Sequence, residues 1–327
     1  VMALTSIIGL ENWNTSNVKN MKGMFCNCCS LTEVDVSNFD TENVTDMAYM
    51  FCGCSVINSL DVSNWDTHNV TNMGAMFHGC CELQGLNLSN WNVDNVEDMG
   101  YMFSYCYYLT TIGDVSNWNT SNVKYMSSMF YECYSLTSLN LSNWDVSNTT
   151  EIYYMFFNCQ SLTEVGDLSN WVVDNVIDME SMFENCFVLE SVGSLSNWNV
   201  GNVEDMSGVF NYCHALKSLD LTNWDVKNVT DMCYMFLKCY ALESVGDLSN
   251  WKTDNVTNMY EMFRDCQSLQ ELNLTNWNVS NATSMKSLFR RCYELKTVGD
   301  LSNWKTGNVT NMGWIFEDCF VLESIGD

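Results

Sequence analysis

The chain has 327 residues, 47 % of them hydrophobic and none proline, and 40 acids against 13 lysines and arginines give a net charge of −27. That balance excludes a nucleic-acid surface, since phosphates require a basic face, and it excludes attraction to an anionic membrane. It favours solubility and self-repulsion unless cations intervene.

The chain opens on Val1 rather than an initiator methionine, so it reads as a processed or trimmed piece. It contains no run of eighteen apolar residues, so direct membrane insertion of this segment is not expected. The first strand-phase segment is Leu4-Thr5-Ser6-Ile7 and the last is Leu322-Glu323-Ser324-Ile325. Neither is a polar cap. The expectation is one repeat solenoid over 1–327, uncapped at both ends: a segment of a longer protein, or a subunit that associates end to end into a fibre.

Between those ends phenylalanine recurs twelve times, from Phe25, Phe51 and Phe77 to Phe316, always 26 or 27 residues apart. A fixed period of that length predicts stacked coils rather than a globular domain with a single core. Residues 213–239 serve as the type coil. Leu219 and Leu221 alternate as a strand requires, which predicts a short parallel strand at about 218–222. Asn223-Trp224-Asp225 turns the chain. Asn228 then resembles a helix N-cap, with Asp231 three residues on, and Met232, Met235, Phe236 and Cys239 follow at helical spacing. The predicted class is therefore an α/β solenoid, each coil with one short parallel strand and one short helix or 3-10 turn.

Several positions repeat as ladders. Asparagine precedes the aromatic in every unit, and a second asparagine runs from Asn17 and Asn43 to Asn308. Tryptophan fills the aromatic slot, as at Trp65 and Trp91, with Phe39 the exception. Methionine fills a core slot from Met21 to Met312, with Ile152 the only replacement, and cysteine runs from Cys28 and Cys54 to Cys319. Units of 27 residues insert a glycine before the acid, as in Val245-Gly246-Asp247, where units of 26 read Leu219-Asp220. Glycine in a strand marks a bulge, here about every second coil.

The segments Leu139-Asn-Leu-Ser-Asn-Trp144 and Asn228-Val-Thr-Asp-Met232, repeated in every unit, resemble the 26-residue repeat of BspA-like leucine-rich-repeat surface proteins, including bacterial surface lipoproteins. The resemblance spans the whole chain. It implies a right-handed leucine-rich-repeat-like coil at the cell surface or secreted, used in adhesion, host contact or scaffolding. It supplies no catalytic residues.

The candidate sites are few. Seventeen cysteines are compatible with disulfides, metal or buried thiols. Ladder cysteines one coil apart lie about 4.8 Å from each other, but parallel side chains in a stack are poor disulfide geometry, so a reduced buried ladder is expected. Cys26 and Cys52 stand off the ladder in one slot of adjacent coils and are the candidate disulfide. Cys26, Cys28, Cys29, Cys52 and Cys54 superficially suggest zinc, but their alternating directions and the lack of a nearby histidine speak against a closed tetrahedral site. His68, His78 and His214 occupy different slots and form no site.

Asp46, Asp98, Asp178, Asp205 and Asp231 share a slot with Asn20, Asn72, Asn258 and Asn311. Helix capping accounts for that column, and calcium between coils is the alternative. No other cofactor is implied. Among many Asn-x-Ser/Thr sequons, Asn14, Asn119 and Asn278, just past the aromatic slot, are the glycan candidates.

One local cluster breaks the monotony: Tyr101, Tyr105, Tyr107, Tyr108, Tyr131, Tyr134, Tyr153 and Tyr154, a candidate partner patch. With no convergent catalytic group, the expected function is a non-catalytic extracellular or cell-surface structural and adhesive repeat protein. The alternative is a receptor-type module that binds a protein or glycan partner.

Overall fold

A computed structural model describes residues 4–326, so Val1 lies outside the described residues. Two compact units make up the chain, Val1–Gly166 and Asp167–Asp327. Six of the recurring phenylalanines fall in each.

Each unit is a stack of coils joined by parallel pairing. In the first, Asn20, Asp46, Asn72, Asp98, Tyr125 and Glu151 form one continuous column of single-residue parallel bridges, coil to coil. In the second, Asp178, Asp205, Asp231, Asn258, Ser284 and Asn311 do the same. The predicted strand at 218–222 is reduced to a bridge between Ser218 and Ser244, with Leu219 and Leu221 donating to the carbonyls of Ser244 and Val245 at 3.0 and 3.1 Å. N–H groups two residues apart thus meet carbonyls one residue apart. Gly246, at φ 80°, takes up the offset. A Cβ there would lie 2.6 Å from Thr222 Oγ1, which is why the inserted residue is glycine.

The expected helix does not form, and the α part of the α/β class is corrected accordingly. Among the described residues the only helices are two 3-10 turns, Leu10–Asn12 and Leu168–Asn170, both in the turn that leads to the aromatic slot. In the type coil, Tyr234, Phe236 and Lys238 donate their N–H groups to Tyr260, Met262 and Arg264 of the next coil at 2.8–2.9 Å. The alternate residues Met235, Leu237 and Cys239 donate back three positions at 3.0–3.4 Å. A segment of about eight residues is too short to sustain an isolated helix, and half of its donors gain partners in the neighbouring coil instead. Successive three-residue turns bring Met232, Met235, Phe236 and Cys239 to the same inward face that a helix would have used.

This path requires left-handed backbone two residues before and two after each phenylalanine. Tyr101 and Tyr105 flank Phe103 at φ 59° and 62°; Tyr234 and Lys238 flank Phe236, both at 59°. Non-glycine residues in that region are held at a cost of about 1–2 kcal/mol each, offset here by inter-coil hydrogen bonds.

Each unit has its own column of stacked aromatic rings at its core. Phe51 and Phe77 stack at 5.7 Å with planes 2° apart; Phe210 and Phe236 stack at 5.8 Å. Tryptophan is favoured over phenylalanine in the aromatic slot because its indole N–H crosses to the preceding coil: Trp65 Nε1 donates to Val36 at 3.1 Å and Trp224 Nε1 to Leu195 at 2.9 Å. The second asparagine ladder also bonds backbone. Asn43 donates to Ser16 and Asn228 to Gly201, at 2.9 and 2.7 Å. Asn228 is therefore a coil-to-coil donor and not a helix cap.

Candidate partner-binding surface

The tyrosines lie in the first unit, and most of them touch. Tyr105 meets Tyr107 and Tyr131 edge to face at 6.1 and 5.2 Å. Tyr107 stacks on Tyr134 at 5.1 Å, Tyr131 reaches Tyr154 at 6.1 Å, and Tyr153 meets Tyr154 at 5.7 Å. Tyr101 and Tyr153 share a side-chain hydrogen bond, which is the chief cause of the raised Tyr153 phenol pKa. Tyr108 is 54 % exposed and donates its N–H to Cys81. Burial, reinforced by Glu132, raises the Tyr134 phenol, whose hydroxyl donates to that carboxylate at 2.8 Å. The rings present amphipathic contact surfaces, an apolar face with a polar hydroxyl edge.

Sequence reading missed four members. His78 packs edge-on to Tyr105 at 5.3 Å, and Phe157 stacks on Tyr131 at 4.8 Å. Tyr49 and Tyr125, both 46 % exposed, join Tyr101 and Tyr153 around a groove of about 230 Å³. The slot after the core methionine forms its floor. That slot holds Gly74, Gly100 and Ser127 here, and all three are buried. Asp98 and Glu151 line it with carboxylates. Burial raises the Asp98 carboxyl pKa, while the Gly100 N–H at 2.9 Å and the Lys22 charge oppose the rise. The signal in the sequence was a run of small residues in one column beside tyrosine in the next.

The remaining candidates resolve individually. The aspartate column makes turns rather than helix caps: Asp46, Asp98, Asp205 and Asp231 each accept the N–H two residues on, at 2.8–3.0 Å. Among the described residues, no three His, Cys, Asp or Glu side chains converge to hold a metal ion. The three histidines stand apart, with His68 on Asp66 at 2.7 Å and His214 stacked between Phe187 and Tyr240.

Among the described residues no cysteine is bridged in this structure, and the candidate pair Cys26 and Cys52 lie within side-chain hydrogen-bond reach of each other. Burial, then the neighbouring Cys26, pushes the Cys52 thiol up to about 11, so at neutral pH it is protonated and a poor attacking group. Asn14 and Asn119 are exposed, whereas the Asn278 amide donates to Asp254 at 2.6 Å. Among the described residues no helix is long and apolar enough to cross a membrane.

The repeated ladders have a counterpart among known families. A family model described as "Mycoplasma protein of unknown function, DUF285" matches residues 2–111, 107–219, 159–247, 188–298 and 239–325. The chain belongs to the DUF285 family. Its overlapping matches agree with a chain built of one repeated unit.

No curated protein matches the sequence. Among solved structures, a leucine-rich repeat protein from Bacteroides ovatus is 18 % identical over 95 % of this chain and 86 % of that one, with a TM-score of 0.37. A leucine-rich cell surface protein from Faecalibacterium prausnitzii is 16 % identical over 92 % and 74 %, at 0.31. The functional domain of InlJ from Listeria monocytogenes, which includes a cysteine ladder, is 12 % identical over 90 % and 55 %, at 0.30.

Proposed function

We propose that this DUF285 chain is a non-catalytic surface or extracellular recognition protein, in which a regular stack of coils presents an aromatic patch to a protein or glycan partner. The carrying observation is the tyrosine network of the first unit. It brings tyrosines from neighbouring coils into contact, and Tyr101 and Tyr108 are 41 % and 54 % exposed. Rigid aromatic side chains dominate recognition energetics where they are partly exposed and fixed by neighbours. The resemblance of its repeat to BspA-like surface proteins supports an adhesive use.

The test is binding of the purified chain to arrayed extracellular-matrix proteins and glycans, beside a variant with Tyr105→Ser, Tyr131→Ser and Tyr134→Ser. Specific binding that drops at least about tenfold in the variant supports the reading. Binding that the variant leaves unchanged overturns it.

End-to-end association is a separate part of the proposal. It rests on the parallel pairing from coil to coil, which the edge of a second copy can extend. Concentration-dependent growth in light scattering supports the second copy, and a constant monomer mass rules it out.

A further inference from the structure

The chain places its own lysines on its aromatic rings in a repeated way. Lys22 sits three residues before Phe25, and its ammonium lies 5.7 Å from the ring centre of Tyr49, two residues before Phe51 in the next coil. Lys286 sits three residues before Phe289, and its ammonium lies 5.0 Å from the ring centre of Trp314, two residues before Phe316. The two pairs have identical placement in the repeat. A cation over an aromatic face is attracted by the ring quadrupole.

The same relation recurs between Gly74 and Tyr101, with one difference. The slot that carries the lysine is glycine, so the Tyr101 ring has no lysine from the preceding coil's slot. Tyr101 is 41 % exposed and borders the groove described above. The Asp98 carboxylate faces the space a lysine stem would fill: a Cβ on Gly74 would lie 2.9 Å from its Oδ2. Glu151 and the rings of Tyr125 and Tyr153 complete the walls. An aromatic-walled groove with half-buried carboxylates, on a chain of net charge −27, is complementary to a cation.

We propose that this groove binds the ammonium group of a lysine side chain presented by a basic peptide partner, with Tyr101 under the cation and Asp98 as its counter-charge. Gly74 leaves open for the partner the place that Lys22 and Lys286 fill elsewhere. The proposal rests on the recognition reading above and names the chemistry of one part of that surface. A neutral sugar stacks on the same rings but brings no positive charge to the Asp98 and Glu151 side chains that line the groove.

The probe is a fluorescein-labelled seven-residue peptide with one central lysine, titrated by anisotropy at physiological salt beside its Nε-acetylated form and a neutral oligosaccharide. The lysine peptide is expected to saturate one site, and acetylation is expected to weaken it about tenfold. Asp98→Asn keeps the local turn, since Asn72 makes the same turn to Gly74 at 2.9 Å, and is expected to weaken binding about fivefold or more. Gly74→Lys fills the groove from within and should abolish binding. Lys22→Met removes a competing charge and should strengthen it. Asp220→Asn, in the second unit, should change nothing. Equal binding of the acetylated peptide overturns the proposal. So do a Gly74→Lys variant that folds and binds normally, an equal effect of Asp220→Asn, and capture of the oligosaccharide instead. If the matrix or glycan partner is still bound in a tyrosine-dependent way while the lysine peptide is not, this proposal fails and the recognition reading stands.

Discussion

The thiol of Cys80 donates to the main-chain carbonyl of Phe51, 3.2 Å away in the preceding coil. The same oxygen accepts the N–H of Cys54 from its own coil at 3.0 Å. Both lone pairs of a buried carbonyl are thereby used, one within the coil and one between coils. The relation repeats at Cys106 on Phe77, Cys159 on Phe130 and Cys239 on Phe210, at 3.0–3.2 Å. Cysteine suits the slot because it is small, apolar and still a donor.

Cys159→Ala should therefore destabilise the protein by about 1–2 kcal/mol, through the lost hydrogen bond and a small void. Urea unfolding of the single variant measures it. An unchanged midpoint would mean that the thiol contact contributes nothing.

The same burial makes the fold sensitive to alkali. Burial pushes the Cys54 thiol from its ordinary 9.0 up to about 12, and raises Cys80, Cys106, Cys133 and Cys213 well above 9.0. Above pH 9 the unfolded chain loses these protons while the folded chain keeps them. The folded state then binds more protons, so stability falls as pH rises through that window and is fully present below it. Each thiol contributes up to about 1.4 kcal/mol per pH unit, so ladder thiols acting together give a steep decline. Urea midpoints should be flat from pH 7 to 8 and drop sharply between 9 and 10.5. A flat profile across the whole range contradicts the assignment.

Left-handed backbone offers a stabilising change. Ser287 is buried at φ 56°, and its hydroxyl has no hydrogen-bond partner. Ser287→Gly removes both penalties and should raise stability by about 1 kcal/mol, after the entropic cost of glycine. Ser287→Val should lower it. Thermal melts of the pair decide the matter, and a Val variant as stable as the Gly variant refutes the backbone argument.

Gly246 should tolerate no side chain. Alanine there would combine a left-handed φ of 80° with a Cβ 2.6 Å from Thr222 Oγ1 and 2.9 Å from Asp220 Oδ1. A loss of about 2 kcal/mol or more is expected. Adding Thr222→Ala should recover only the steric part, which separates clash from backbone strain in denaturation experiments.

The sequence made the columns legible and left the path between them obscure. Phe, Trp, Met and Cys recur in fixed slots, and recurrence alone reveals which residues share a core. The helix at Met232–Cys239 was misread because spacing of three and four also arises from successive turns tied to a neighbouring coil. A clue lay in the glycine, asparagine and aspartate that visit the left-handed slots, as at Gly53, Asn158 and Asp265, since these residues tolerate that backbone best. The tyrosine cluster could be read as a density of one residue type. The groove could not, because Gly74, Asp98 and Tyr101 come from three columns whose adjacency depends on how the coils stack.

A stack of near-identical coils has a hazard that a globular core lacks. Slide one coil past its partner by a full repeat and phenylalanine again meets phenylalanine, with tryptophan on tryptophan. Hydrophobic burial barely distinguishes the two alignments. The inserted glycines do. Gly246 packs against Thr222 and Asp220, and the coils of 26 residues on either side carry no such insertion. The uneven succession of long and short coils thus works as a key cut into a repeating blade, which lets a monotonous sequence find one alignment among many that are nearly as good.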